Sequence, residues 1–156
     1  MMRMLSRKRR AGNAFIEFGL SATVLTFCLA GVYQFSYSMY IYNRLESAVN
    51  GAARFASYRT YRTMSTASDL AKNKTAVRNY AVYGSPTASG PALIPGLTPA
   101  HFDVDYTLSS GGVPVSVRVR VNEFKVDAIF RQFTFKGKPA VSYPYLGRYA
   151  PNESEP

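Results

Sequence analysis

The sequence predicts an α+β protein built on one long N-terminal helix, with a second helix and a small antiparallel β-sheet packed on the first. Three observations predict it. An uncharged run of 25 residues from Phe18 to Tyr42 is long enough for a membrane helix. An apolar stripe at helical spacing continues beyond that run. From Phe102 onward the hydrophobic period falls to two, the signature of half-buried strands.

A chain of 156 residues has room for one domain and an anchoring segment. At 47% hydrophobic, with 12 Tyr and 10 Phe, it can fill a core. The net charge is +10, but Arg3, Arg7, Lys8, Arg9 and Arg10 all fall in the first 12 residues, where there is no acid. The rest of the chain carries 14 basic against 9 acidic groups, so overall charge gives no case for a nucleic-acid partner. The single cysteine, Cys28, excludes an intrachain disulfide and the Cys-rich zinc patterns. The single histidine, His101, reads as a surface group at a loop or strand start. Catalytic groups are few and unclustered, so no metal, cofactor or enzymatic activity is expected.

The run "FGLSATVLTFCLAGVYQFSYSMYIY", residues 18 to 42, makes a helix of roughly 37 Å at about 1.5 Å per residue, enough to cross a hydrocarbon core of about 30 Å. Its second half is rich in Tyr, as befits a membrane–water boundary, and Tyr33, Tyr37 and Tyr40 share one helix face. The basic cluster Arg7, Lys8, Arg9, Arg10 precedes the run and no matching cluster closely follows it. The positive-inside rule therefore expects a cytoplasmic N-terminus and an extracytoplasmic domain. The small residues Gly19, Ser21, Ala22, Ala30 and Gly31 would let helices approach one another in lipid.

One charge stands out at the start of this helix. Glu17 follows Gly12 by five residues, and a carboxylate in lipid costs several kcal/mol unless it is paired or interfacial. Beside Arg9 or Arg10 in the headgroups it would be mild. If the chain is cut after Gly12, Asn13 becomes a free amine at the positive end of a helix, and Glu17 of one subunit can neutralise the amine of a neighbour.

A basic leader, a glycine and an apolar helix with Glu at its fifth mature position resemble the type IV prepilins. The resemblance narrows to the TadE-like pseudopilins of tight-adherence (Tad/Flp) pilus systems. It is carried by Arg10-x-Gly12-x-Ala14-x-Ile16-Glu17-Phe18, the apolar span, and Leu45-x-x-Ala48-Val49-x-Gly51-Ala52-Ala53-Arg54. Asn79-Tyr80-Ala81-Val82-Tyr83-Gly84 is similar as well. Asn13 departs from the aromatic first residue of other type IV pilins. The resemblance implies a pilin-like fold and a minor pilin or pseudopilin in the bacterial inner membrane, with its domain periplasmic, either staying at the base of an extracellular pilus or entering it, in the fibre or at its tip. It implies cleavage between Gly12 and Asn13 by prepilin peptidase, a membrane aspartic protease. It also implies assembly through Glu17 and Phe18 with other Tad/Flp pilins and an inner-membrane platform. Packing would run through Gly19, Ala22, Ala30, Gly31, Gly51 and Ala52. The alternative reading is an uncleaved, signal-anchored envelope protein whose outer domain binds a protein partner.

The expected segments are a leader over 1–12, a helical segment over 13–62, an α+β domain over 63–148 and a flexible tail over 149–156. The long helix is expected over about 14 to 60. After the membrane, Leu45, Val49, Ala52, Ala53 and Ala56 form one stripe, and Gly51 suggests close approach by another element. "STASDLAKNKTAVRNYAVYG" predicts a second helix capped by Thr66 or Ser68, with Leu70, Val77, Tyr80 and Ala81 facing inward and Gly84 as the stop. Residues 84–100, rich in Pro and Gly, predict a loop that packs through Leu93, Ile94 and Leu97. "FDVDYTL" and "VPVSVRVRV", joined by Ser109-Ser110-Gly111-Gly112, predict a hairpin with Val113 to Val121 alternating inward. A further strand or two is expected through Phe124, Val126, Ile129, Phe133, Phe135, Val141 and Tyr143, with Gly137 in a turn. Arg118, Arg120 and Lys125 read as a solvated sheet face.

Overall fold

The computed structural model describes residues 3–60, 67–110, 112–128 and 130–147, and of residues 3–11 the backbone alone. Thr66, Ile129 and the expected tail lie outside the described residues. The chain is α+β, with helix α1 (Arg3–Tyr58), helix α2 (Ala67–Tyr83), a 3-10 turn (Pro99–His101) and strands β1 (Phe102–Leu108), β2 (Pro114–Val121), β3 (Glu123–Asp127), β4 (Gln132–Lys136) and β5 (Ala140–Pro144).

Helix α1 begins about ten residues earlier than expected. Residues 3–13 carry Met, Leu, Arg, Lys and Ala, which favour helix, and no proline, so nothing stops it at Gly12. Its far end is closed by the residues that follow β5. The Leu146 N–H donates to the Ser57 carbonyl at 2.9 Å, and the Tyr145 hydroxyl donates to the Arg59 carbonyl. These groups meet the carbonyls that a helix terminus leaves unpaired. The stripe Leu45, Val49, Ala52, Ala53 and Ala56 is fully buried, as its spacing predicts.

Helix α2 packs on α1 and β1. It is already helical at Ala67, so Ser68 lies inside the first turn and is not the cap. Asp69 lies in that turn, favourable at the positive end. Gly84, at φ +70°, donates its N–H to the Tyr80 carbonyl at 2.9 Å and ends the helix. Val77 and Ala81 are buried as expected, Tyr80 packs partly buried, and Asn73 joins the buried face in place of Leu70. The loop that follows returns to α2 where the Leu93 N–H donates to the Val82 carbonyl at 2.8 Å. It buries Ile94 and Leu97 and leaves Leu93 exposed.

Three strands follow the first hairpin instead of the expected one or two, and they divide into two sheets. The order β1-β2-β5 is antiparallel throughout, and β3-β4 forms a separate hairpin. Gly137, at φ +71°, turns the chain from β4 to β5. Phe102, Val104, Val117, Val119 and Val121 are buried against the helices. Val113, Val115 and Leu108 belong to the expected inner face but are exposed, while Pro114 between the two valines is buried; the ladder register shifts between Thr107 and Leu108 at this end of the hairpin.

Candidate membrane and assembly interface

Three surfaces meet on α1. The first is its N-terminal half. From Gly12 to Tyr33 almost every residue is exposed, including Phe15, Ile16, Phe18, Leu20, Val24 and Leu25. This helix is long and apolar enough to cross a membrane, and none of its most apolar stretch is buried in the protein's own fold. An apolar surface of that length needs a cover of lipid or of other helices. Its two threonine hydroxyls are already paired: Thr23 donates to the Gly19 carbonyl and Thr26 to the Ala22 carbonyl, each at 2.8 Å. Such back-bonding lets a hydroxyl sit in hydrocarbon without an unmet donor.

Gly12, Asn13, Glu17 and Phe18 are all exposed on this stretch. A Cβ at Gly12, Gly19 or Gly31 would meet nothing within 4 Å, so nothing inside one chain requires glycine there. Ala22 and Ala30 are partly covered. The side chains of Arg7, Lys8, Arg9 and Arg10 lie outside the described ones; their backbone continues α1.

The second surface is the zone where the domain takes hold of α1. Cover begins at Gln34, which is 9% exposed, and continues through Ser38 and Ile41. The domain thus reaches into the uncharged run of residues 18 to 42. Of the tyrosines expected on one face, Tyr33 and Tyr37 stack with ring centroids 6.3 Å apart, whereas the Tyr40 hydroxyl accepts from Arg44 Nε at 3.1 Å. Tyr42 meets Phe135 of β4 at 5.9 Å. Further along, Gly51 faces Tyr80, whose ring stacks on Phe55 at 4.5 Å, and Ala52 is buried in the core. The approach expected at Gly51 is therefore by α2 of the same chain.

The third surface is the β3-β4 hairpin, which sequence periodicity does not reveal as a unit. It lies along α1, and beyond β3 the Phe130 N–H donates to Gln34 Oε1 at 2.7 Å. The Phe130 ring sits 6.4 Å from that of Phe27. The sequence holds one signal of it: Gln34 is the one amide side chain in the uncharged run of residues 18 to 42. Its partner lies 96 residues away, beyond any local pattern.

The polar residues of the domain serve the fold. Arg120 Nη2 lies 2.5 Å from Asp103 Oδ2 and 3.5 Å from Asp105, while Lys125 pairs with Glu123 at 3.2 Å. Arg120 and Lys125 are thus each engaged with neighbouring carboxylates, and they lie on separate sheets, so they do not form one face with each other. The Arg120 side chain, donating to Asp103, holds that carboxyl below its ordinary value against the opposing effect of burial. Burial pushes the Tyr106 phenol well above its usual range. His101 accepts from the Thr98 N–H through Nδ1 at 3.0 Å and meets Phe124 edge-on, so it ties the 3-10 turn to β3. Among the described residues no three His, Cys, Asp or Glu side chains gather as a metal site. An open groove of about 660 Å³ runs between Tyr37 and Ile41 on α1, the loop at Ile94, and β3.

Comparison with known proteins agrees with the N-terminal half. A family model described as TadE-like protein matches residues 12–54, which is α1 from Gly12 to Arg54. No curated protein and no solved structure matches the chain. α2 and all five strands lie beyond the matched segment. An exposed apolar helix joined to a buried small-residue stripe is what the match spans, and over that segment the chain is similar to the TadE-like family that its sequence resembles.

Proposed function

We propose that the protein is a minor pilin or pseudopilin of a Tad-type pilus or secretion system. It is cut after Gly12 by prepilin peptidase and assembled through its N-terminal helix with other Tad/Flp pilins on an inner-membrane platform. The observation that carries this reading is the position of Glu17. It is an exposed carboxylate and the one charge between residues 13 and 42 of α1, five residues after Gly12, inside the segment that the TadE-like model matches. The new Asn13 amine of one subunit and Glu17 of the next would neutralise each other in lipid, where each alone is costly. Asn13 to Tyr33 makes roughly 32 Å of helix, which matches a hydrocarbon core of about 30 Å. The leader's charge supports a cytoplasmic N-terminus and a periplasmic domain.

One observation favours the second reading, an uncleaved signal-anchored envelope protein. α1 is continuous from Arg3 through Gly12 and Asn13, so a peptidase must first unwind helix at the bond it cuts. Gly12 lowers that cost by about 1 kcal/mol relative to Ala. The test is the mature N-terminus, read by intact mass and N-terminal peptide mapping with and without the cognate prepilin peptidase. A peptidase-dependent start at Asn13 is expected. A chain that keeps its leader in the presence of active peptidase leaves the signal-anchored protein.

A further inference from the structure

We propose that the tip of the β3-β4 hairpin enters the outer leaflet of the bilayer that α1 crosses, so that the protein grips the membrane at two places, the helix and Phe130. This rests on the anchoring of α1 in a bilayer and not on cleavage or pilus assembly.

The hairpin descends along α1. Phe135 lies beside Tyr42 and Phe130 beside Phe27, at 5.9 and 6.4 Å between ring centroids. Tyr42 and Phe27 are separated by roughly 22 Å of helix. The hairpin therefore continues toward the N-terminus past the point where the rest of the domain lets go of α1. One hydrogen bond ties it to α1 and a second closes its own neck. The Phe130 N–H donates to Gln34 Oε1 at 2.7 Å, and across the neck Gln132 Nε2 donates to Asp127 Oδ1 at 2.8 Å.

Depth follows from the helix rise. Phe27 is roughly 22 Å from Gly12, and Gln34 roughly 33 Å. A core of about 30 Å that starts near the leader ends between them. A ring held against Phe27 then lies in the outer part of the hydrocarbon. Gln34 Oε1 and the Phe130 N–H sit at its edge and pair with each other there, as polar groups entering lipid must.

The chemistry of the tip agrees. Ala128 and Phe130 are apolar where a water-facing hairpin turn favours Gly, Asn and Asp. Phe130 is 57% exposed and Phe27 is 65% exposed, so together they extend the apolar surface of α1 sideways without a seam. Arg131 follows at once and is exposed, with Lys136 and Lys138 farther along β4 and its turn. The Arg131 cation beside an inserted ring suits lipid phosphates, and its long stem can reach up to them, whereas Lys136 lies next to Phe135, level with Tyr42.

The chain has no tryptophan, so Phe130→Trp introduces the only indole. The full chain carrying it is placed in nanodiscs, one chain per disc, made with lipids brominated on the acyl chains. Phe27→Trp in the same discs reports whether α1 itself is inserted. The expected result is at least twofold quenching of both variants relative to unbrominated discs, with little further quenching by acrylamide. Quenching of Phe27→Trp alone, with Phe130→Trp open to acrylamide, overturns the proposal. Shielding of Phe130→Trp only when a second copy or another pilin is added overturns it too, since the tip then docks protein and not lipid. An unquenched Phe27→Trp removes the anchoring of α1 itself, and the proposal with it.

Discussion

Arg120 of β2 places its Nη2 2.5 Å from Oδ2 of Asp103, directly across the β1-β2 ladder, where the two residues are register partners. Arg78 of α2 approaches the other carboxylate oxygen at 4.0 Å. One carboxylate thus ties the second helix to the sheet. Because the Arg120 hydrogen bond lowers the Asp103 pKa in the folded state, the sign is fixed: the stability it adds is present above the ordinary value of 3.8 and is lost as the pH falls through the lowered folded value. Thermal unfolding of the full chain in detergent at neutral and acid pH checks this. Asp103→Asn is expected to lower Tm slightly at neutral pH, by the modest amount typical of partly exposed pairs, and to show less acid destabilisation than the parent.

Asn73 yields a prediction of opposite sign. Both polar atoms of its amide are buried, and among the described residues neither has a hydrogen-bond partner. It sits four residues before Val77 on the inner face of α2, surrounded by the core. Removing an unpaired buried amide relieves a desolvation cost of about 1–3 kcal/mol. Asn73→Leu is therefore expected to raise stability by about 1 kcal/mol or more in urea unfolding. A loss of stability instead would mean that the amide is satisfied in solution.

Gly51 is marked by the sequence as a point of close approach, and Tyr80 does lie against it. Yet a Cβ there would meet Tyr80 Cε1 at 3.7 Å, an ordinary van der Waals distance. Gly51→Ala should therefore be accepted and should stabilise the full chain by up to about 1 kcal/mol through helix propensity. If the variant folds better but assembles worse, the glycine serves contact between subunits. Urea unfolding set beside a fibre-incorporation assay separates the two roles.

The contrast between Gly51 and Gln34 shows why some of this molecule is legible in its sequence and some is not. The stripe Leu45 to Ala56 and the alternation through Val104 and Val119 are local periods, and burial follows them closely. Arg120 and Asp103 are both readable as the polar side of a hairpin, but their pairing depends on register, which a bulge near Thr107 and Leu108 shifts. The β3-β4 hairpin escapes because its partner is α1 itself: the Phe130 N–H finds Gln34 across 96 residues, and no pattern within either segment encodes that bond. Asn73 escapes for a related reason. Its spacing places it on the inner face of α2, but its polarity argues for solvent. In the candidate interface, Gly12 and Glu17 are legible as a motif. Their exposure on a bare helix agrees with a role outside the single chain.

Glu17 carries the sharpest functional prediction. Within one chain it is exposed on the apolar stretch, so changing it should leave folding of the domain nearly untouched. In lipid an unpaired carboxylate is unfavourable, so Glu17→Val should if anything hold the helix more firmly in the membrane. A pseudopilin whose assembly uses the Glu17–amine pair would then be cut normally but fail to enter the fibre. A plain anchor would be indifferent to the change. Sheared-pilus and membrane fractions, probed for the protein beside its mature mass, read both steps at once. The expected outcome for Glu17→Val is normal processing with at least a tenfold loss from the pilus fraction, about 1.4 kcal/mol or more of assembly free energy. Glu17→Asp, which keeps the charge on a shorter stem, should recover part of it. Equal incorporation of Glu17→Val and the parent would return the carboxylate to the headgroups and leave the helix a simple anchor.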